Sequence, residues 1–252
     1  MNEVDKLKGL LTFVQQIANQ KGNEWMWDDI YELIDGKSNL SIIDDHPKLK
    51  LIYEQNILKV ASKHADLFYK DFSIESIIPQ LKSDFIKMDY AMRKGDLGLF
   101  AIHCYQQVEG ITNFIHNTKV IPNWENEKNQ YVEFDKQNDK YPPKSLENFF
   151  FPWVTNEDGT KKQDKTWYAS KKFDVVYYFS FAKGKHYSNL QKGREFFNKI
   201  NTLRNWGAHR GSIEKDYQKE QVNQASANPT LFYAQMIQGL HAYLQGFRKI
   251  NN

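Results

Sequence analysis

Between Lys192 and Ser212 the chain gathers Arg204, Asn205, His209 and Arg210, punctuated by Gly207 and Gly211. A permanently charged guanidinium beside an imidazole that titrates near neutrality, at ~6.5 when unperturbed, suits work on a phosphodiester. The arginine can hold the non-bridging oxygens while the histidine takes up or releases a proton. Leading into this group, Phe196, Phe197, Ile200 and Leu203 recur at steps of three and four, so it closes an amphipathic helix. On an unbroken helix Arg204 and His209, five residues apart, would point roughly 140° away from each other. Two arrangements bring both to one phosphate. Either the helix bends or ends near Gly207, or a second chain completes the site. The plainer reading is a surface helix end whose cations favour the negative end of the helix dipole.

The run Arg204-Asn205-Trp206-Gly207-Ala208-His209 resembles the R-x(4–6)-H motif of HEPN-domain proteins, with a polar residue directly after the arginine. Upstream, Met92 to Ile115 resembles the family's early pair of helices joined at a short Gly-Asp turn. The resemblance covers roughly residues 73–117 and 189–252. It implies an antiparallel helical bundle and a metal-independent endoribonuclease. The substrate's own 2′-hydroxyl would attack the adjacent phosphorus, which explains a need for RNA rather than DNA. Arg204 would offset the charge that builds on the phosphate, His209 would act as general base or acid, and Asn205 would orient the phosphate or the imidazole. Arg194, Lys199 and Arg210 belong to a local run of cations with Lys183, Lys185 and Lys192 that would hold the substrate, although the family pattern assigns Arg210 no role. Glu109, in Tyr-Gln-Gln-Val-Glu-Gly, would support the Arg/His pair from behind. Its bland alternative is an exposed glutamate on a helix face.

Members of this kind place two motifs face to face, and only one copy is evident here. His186 has no matching arginine before it, and Arg93 stands too far from His103. The resemblance therefore implies a homodimer with a composite site. It also implies a setting in antiviral defence, such as abortive infection, or in toxin–antitoxin biology, with an antitoxin or an activating partner. Two readings compete with catalysis. One is an inactive HEPN-like module that binds nucleotide, RNA or a protein partner. The other is a purely structural helical protein in which Arg204 pairs with an acid such as Glu195 or Glu214.

Composition narrows the classes. With 40% hydrophobic and 26% charged residues in 252, the chain reads as soluble and globular rather than disordered. The formal charge of +3 is too mild to mark a nucleic-acid binder by bulk electrostatics, so any RNA contact rests on local clusters. No apolar run approaches the roughly 20 residues that span a bilayer. The N-terminal Met-Asn-Glu-Val-Asp-Lys carries acids and no compact apolar stretch, so no signal peptide is expected. The single cysteine, Cys104, excludes an internal disulfide, and a cytoplasmic location follows as the expectation. His103 and His116 are thirteen residues apart and lack metal-ligand spacing. Neither a metal nor a cofactor is expected.

The elements that must position these residues read as mainly helical. Residues 1–72 form an N-terminal helical cap: a helix over 3–20, a second capped at Asn23 through Trp25, Trp27, Ile30 and Leu33, and a third starting at Asp45-His-Pro. Trp25 and Trp27 are read as packing residues, with base stacking as the alternative. A helix from Ser73 carries Ile77, Ile78, Leu81, Phe85, Met88 and Met92, with Pro79 near its start. The next carries Leu97, Ala101, Cys104, Val108, Ile111 and Ile115 at near-heptad spacing. Residues 118–188 read as an irregular, partly β insertion. Gln130–Phe134 and Val175–Phe181 have strand character, and Asn156–Gly159 is a turn candidate. A last helix starts near Pro229 and turns Leu231, Met236, Ile237, Leu240, Leu244 and Phe247 inward.

Overall fold

The computed structural model describes residues 3–21, 47–134, 144–208 and 215–247. The expected helix from Asn23 to Leu33, with Trp25 and Trp27, lies outside the described residues, as do His209, Arg210 and Glu214. The chain divides into two compact units, Met1–Asn56 and Ile57–Asn252. In the first, helix α1 spans Glu3–Ala18, with Val14 and Ile17 half-buried and Phe13 exposed. Helix α2, Pro47–Phe68, starts at the proline as its fixed φ favours, and the unit boundary falls within it. The larger unit thus begins well before residue 73, and Ile57, Ala61, Ala65, Tyr69 and Phe72 belong to its core.

The chain is mainly helical. A short 3-10 turn, Glu75–Ile77, leads into α3, Ile78–Arg93, whose first turn accommodates Pro79. Gly95, at φ 70°, supplies the left-handed step that reverses the chain. Asp96 then caps α4, Leu97–Ile115, by accepting a hydrogen bond from Leu99 N at 2.9 Å. The six apolar residues of the near-heptad stripe on α4 are all buried. α8, Tyr187–Ala208, runs antiparallel to α4, since Gly207 meets Gly98 at one end and Phe197 meets Tyr105 further along. α9 spans Asp216–Ala227, and α10 spans Pro229–Gln245, capped by Asn228. Tyr233 of α10 packs on Phe100, and its Tyr243 shares a buried 2.8 Å hydrogen bond with Thr112, so α10 lies parallel to α4. Leu231, expected inside, is exposed, because the first turn of α10 directs Phe232 and Tyr233 into the core instead.

The span read as an insertion divides in two. One part comprises α5 (Ile121–Glu127) and α6 (Leu146–Phe150), which bury Trp124, Leu146 and Phe150 in the core, and an exposed antiparallel ribbon of β1 (Trp153–Thr155) and β2 (Lys161–Gln163). The ribbon turns at Asn156–Gly159, with Gly159 at φ 81°. Gln130–Phe134 forms only a single bridge, Tyr131 to Ser145. The other part corrects an expectation. Val175–Phe181 is no strand; it continues α7 (Ala169–Tyr177) into a π-helical turn, Tyr178–Ala182. Phe173, Val175, Val176 and Tyr178 are buried in the main core. The valines and aromatics of the run favour strands locally, and packing of one helix face, Phe173, Val176 and Tyr178, into the core overrides that propensity.

α4 also ends in a π-helical turn, His116–Val120. His116 is buried edge-on against Trp167, and its Nδ1 lies 3.0 Å from Asn117 Oδ1. The neutral ring therefore carries its proton on Nδ1 and leaves Nε2 buried without a partner. Burial, with the charge of Lys172 adding to it, holds the imidazole pKa below its ordinary value, although the Asn117 bond opposes this. The unfolded chain, with a histidine pKa of ~6.5, then binds the proton more readily than the folded one. Stability is expected to fall as pH drops below about 6.5. Urea melts of wild type and His116→Gln at about pH 7.5 and pH 5 test this. A wild-type decline no steeper than the variant's would remove His116 as its cause.

Candidate active site

The motif closes α8 because that helix is amphipathic to its end, with Phe197, Ile200 and Leu203 buried against the core. α8 is helical through Ala208, the last residue described before Lys215. What the glycine permits is approach. A Cβ at Gly207 would sit 2.8 Å from the Cα of Gly98, and one at Gly98 would sit 3.1 Å from the Cα of Gly207. Two helix backbones touch there with no side chain between them. Contact at this end sets the register in which α8 crosses α4.

That register lays Arg204 over Tyr105. The guanidinium carbon stands 5.0 Å from the ring centroid, within cation–π range. One guanidinium nitrogen donates to Asn205 Oδ1 at 2.8 Å. The Tyr105 hydroxyl points on toward Glu109, at 3.4 Å from Oε1. Burial raises the Tyr105 pKa and the Glu109 charge adds to it, while the Arg204 charge works the other way. The phenol therefore stays protonated and serves as a donor to Glu109. Arg204 is half-buried, and among the described residues it forms no ion pair. Glu195, the described one of the two acids considered as its partner, is exposed and unpaired with it.

The remaining expected residues scatter. Arg194 is committed elsewhere: its Nε and Nη2 reach Asp174 Oδ2 of α7 at 3.0 and 2.9 Å, and its Nη1 reaches the Tyr187 hydroxyl. Burial raises the Asp174 pKa and the Arg194 contact opposes the rise, so the pair fastens α7 to α8. Lys199 is exposed on another face of α8, in a cleft of about 230 Å³ with Gln221, Gln224 and Asn228. Among the described residues expected at the site, Arg204, Asn205 and, through Tyr105, Glu109 come together. Tyr105 and Gly98 went unnoticed in sequence. The signal for Tyr105 was its place four residues before Glu109, one turn away on the same helix face.

Beside the motif opens a cleft of about 740 Å³, lined by Leu99 and Ile102 of α4, Trp206 and Gly207 of α8, and Ser226 and Pro229. No three His, Cys, Asp or Glu side chains among the described residues gather as a metal site. Cys104 is fully buried and its thiol pKa is pushed up to about 12, which leaves it protonated and unreactive. Among the described residues no helix is long and apolar enough to cross a membrane. In comparisons with known proteins, no family model, curated protein or solved structure matches this chain.

Replacing Gly207 with alanine gains helix propensity of about 1 kcal/mol but inserts a methyl against backbone, an overpacking cost of about 1–3 kcal/mol. The neighbouring Cα cannot rotate aside, so the cost prevails. We expect Gly207→Ala to lose stability, by up to about 2 kcal/mol in chemical denaturation. Equal or greater stability in that variant would mean that the two helices do not touch there.

Proposed function

We propose that this protein is an endoribonuclease of the HEPN-like kind, cleaving RNA without a metal through Arg204 and His209. One observation carries the reading: Arg204 is held in place, and among the described residues no carboxylate pairs with it. Arg93 and Arg194 of the same protein each lie on a carboxylate, Asp89 and Asp174. Arg204 instead rests on an aromatic face and a side-chain amide, which fix its direction and leave its charge to an incoming anion. A structural arginine would be expected to resemble the other two.

In the proposed reaction the guanidinium binds the non-bridging oxygens of the scissile phosphate. The ribose 2′-oxygen attacks phosphorus as its proton passes to a general base, and the bond from phosphorus to the 5′-oxygen breaks as that oxygen gains a proton. The products are a 2′,3′-cyclic phosphate and a free 5′-hydroxyl. His209 serves as base or acid, a role worth roughly 10²–10⁴-fold. Asn205 steers the guanidinium, and Glu109 acts at one remove through Tyr105. A second copy of the chain supplies the opposing motif, so that acid and base come from two protomers. Antiviral defence or a toxin role held by an antitoxin suits such an activity.

The test is incubation of the purified protein with mixed RNA in EDTA, beside Arg204→Ala and His209→Ala. We expect wild-type cleavage with cyclic or 3′-phosphate ends and a loss of at least about a hundredfold in each variant. Equal cutting by all three assigns the activity elsewhere. If none cuts, even with an activating partner supplied, the catalytic reading fails and a binding module takes its place. Analytical ultracentrifugation adds a separate check: a monomer that still cleaves RNA removes the composite dimer.

A further inference from the structure

The β1–β2 ribbon leaves Trp153 58% exposed and Val154 61% exposed, and just beyond it Tyr168 is 54% exposed. A two-stranded ribbon is marginal in water and gains nothing from an indole left in solvent. Yet these rings are not loose. The Trp153 Nε1–H donates to Asn148 Oδ1 at 3.2 Å, and Gln163, paired across the ribbon from Trp153, donates to the same oxygen at 3.4 Å. The Tyr168 hydroxyl donates to Asp164 Oδ2 at 3.0 Å. Each ring has its polar edge satisfied by protein and its face turned to solvent. Such fixed aromatic faces give contact area without the entropy of ordering a free side chain.

Charge indicates what those faces meet. Residues 153–172 hold five lysines against three acids, while the whole chain carries a formal charge of only +3. Lys165 and Lys172 are engaged, by Glu147 and Asn113. Lys161 and Lys162 are exposed, and among the described residues neither forms a salt bridge, although the Lys162 charge acts on Asp164. Register places Lys161 opposite Thr155 and diagonal to Trp153 on one ribbon face, with Lys162 opposite Val154 on the other. Exposed aromatic rings beside an exposed ammonium group match a strand of unpaired bases and phosphates.

We infer that the ribbon and Tyr168 form a stacking platform for single-stranded RNA, separate from Arg204. The inference rests on the proposed function in taking RNA as the ligand. It explains why the ribbon keeps an indole outside: bases stack on Trp153 and Tyr168 while Lys161, on the Trp153 face, meets a phosphate.

The experiment titrates the full chain, carrying Arg204→Ala to prevent cleavage, into a labelled unpaired RNA of about twelve nucleotides. Adding Trp153→Ala is expected to weaken binding about tenfold, while Trp153→Phe keeps most of the affinity. Lys161→Ala is expected to reduce the salt slope by about 0.7. Unaltered melting temperatures show that the variants fold. A dinucleotide substrate with Arg204 intact reads the motif alone, so its cleavage should survive Trp153→Ala. Failure of wild type to cut the dinucleotide counts against the proposed function, whereas the titration decides the platform. Unchanged affinity in Trp153→Ala, equal affinity for a fully paired duplex, or no RNA binding at all overturns it. So does an effect of Trp153→Ala on protein association with RNA affinity intact, which would make the ribbon a protein-docking surface.

Discussion

Helix α4 is apolar on most of its circumference, and a helix in that state is stable only when enclosed. α3, α7, α8 and α10 enclose it. Phe100, Cys104, Val108 and Ile111 are fully buried, each such side chain contributing about 1.5–3 kcal/mol. The tightest of these packings is with α8, where Gly98 and Gly207 bring two backbones into contact. Any side chain at either position would part the helices at the end that carries the motif. Arg204 lies over Tyr105 because the helices cross in that register, and Glu109 enters the cluster for the same reason.

The three arginines on this framework show how environment divides one residue type into different tasks. Arg93 shares the buried Asp89 with His64, whose Nδ1 stands 3.3 Å from the second carboxylate oxygen, so α2 and α3 are joined through one acid. Arg194 joins α7 to α8 through Asp174. Hydrogen bonds to charged groups contribute about 1.5–3 kcal/mol. A cation–π contact of about 0.5–2 kcal/mol orients a guanidinium without cancelling its charge. Among the described residues Arg204 has an aromatic face and the Asn205 amide oxygen as its partners, and a phosphate placed before it would add a charge-assisted pair.

The two π-helical turns follow from the same packing. α4 and α7 each pass into the wider helix while still packed in the core, at His116–Val120 and Tyr178–Ala182, where His116, Val120, Tyr178 and Ala182 are buried. Such turns change the direction of the side chains that follow, and here one of them puts an imidazole inside the protein with a bare nitrogen. Val120, Phe179 and Ser180 from the two turns line one cavity of about 370 Å³, which shows how near the turns lie. Val175–Phe181 misled a local reading for this reason. Its valines and aromatics are common in strands, but what selects its form is enclosure by distant residues such as Phe197 and Tyr243.

Much of the scaffold is set by short-range chemistry, and so it can be read from residues alone. Gly95-Asp96 specifies a reversal and a cap, Pro47, Pro79 and Pro229 mark helix starts, and the α4 stripe names six core residues. The Asn156–Gly159 turn of the ribbon is equally local. The motif itself was likewise visible, because Arg204 and Asn205 are neighbours in the chain. Contacts between elements were not. Arg194, Lys199 and Arg204 look alike as cations on one helix, and only the arrangement of α7, α9 and α4 around it gives the first an acid, the second an amide-lined cleft and the third an aromatic face. Gly207 carries the same lesson. A glycine reads locally as a place to bend, whereas the nearness of Gly98, over a hundred residues away, makes it a place of contact. Sequence determined the helices and the residues that can do chemistry, since propensity, caps and hydrophobic period act over a few residues. Tertiary structure decided which of those residues are free to do it, since a charge is neutralised, buried or left open by neighbours that the chain brings from far away.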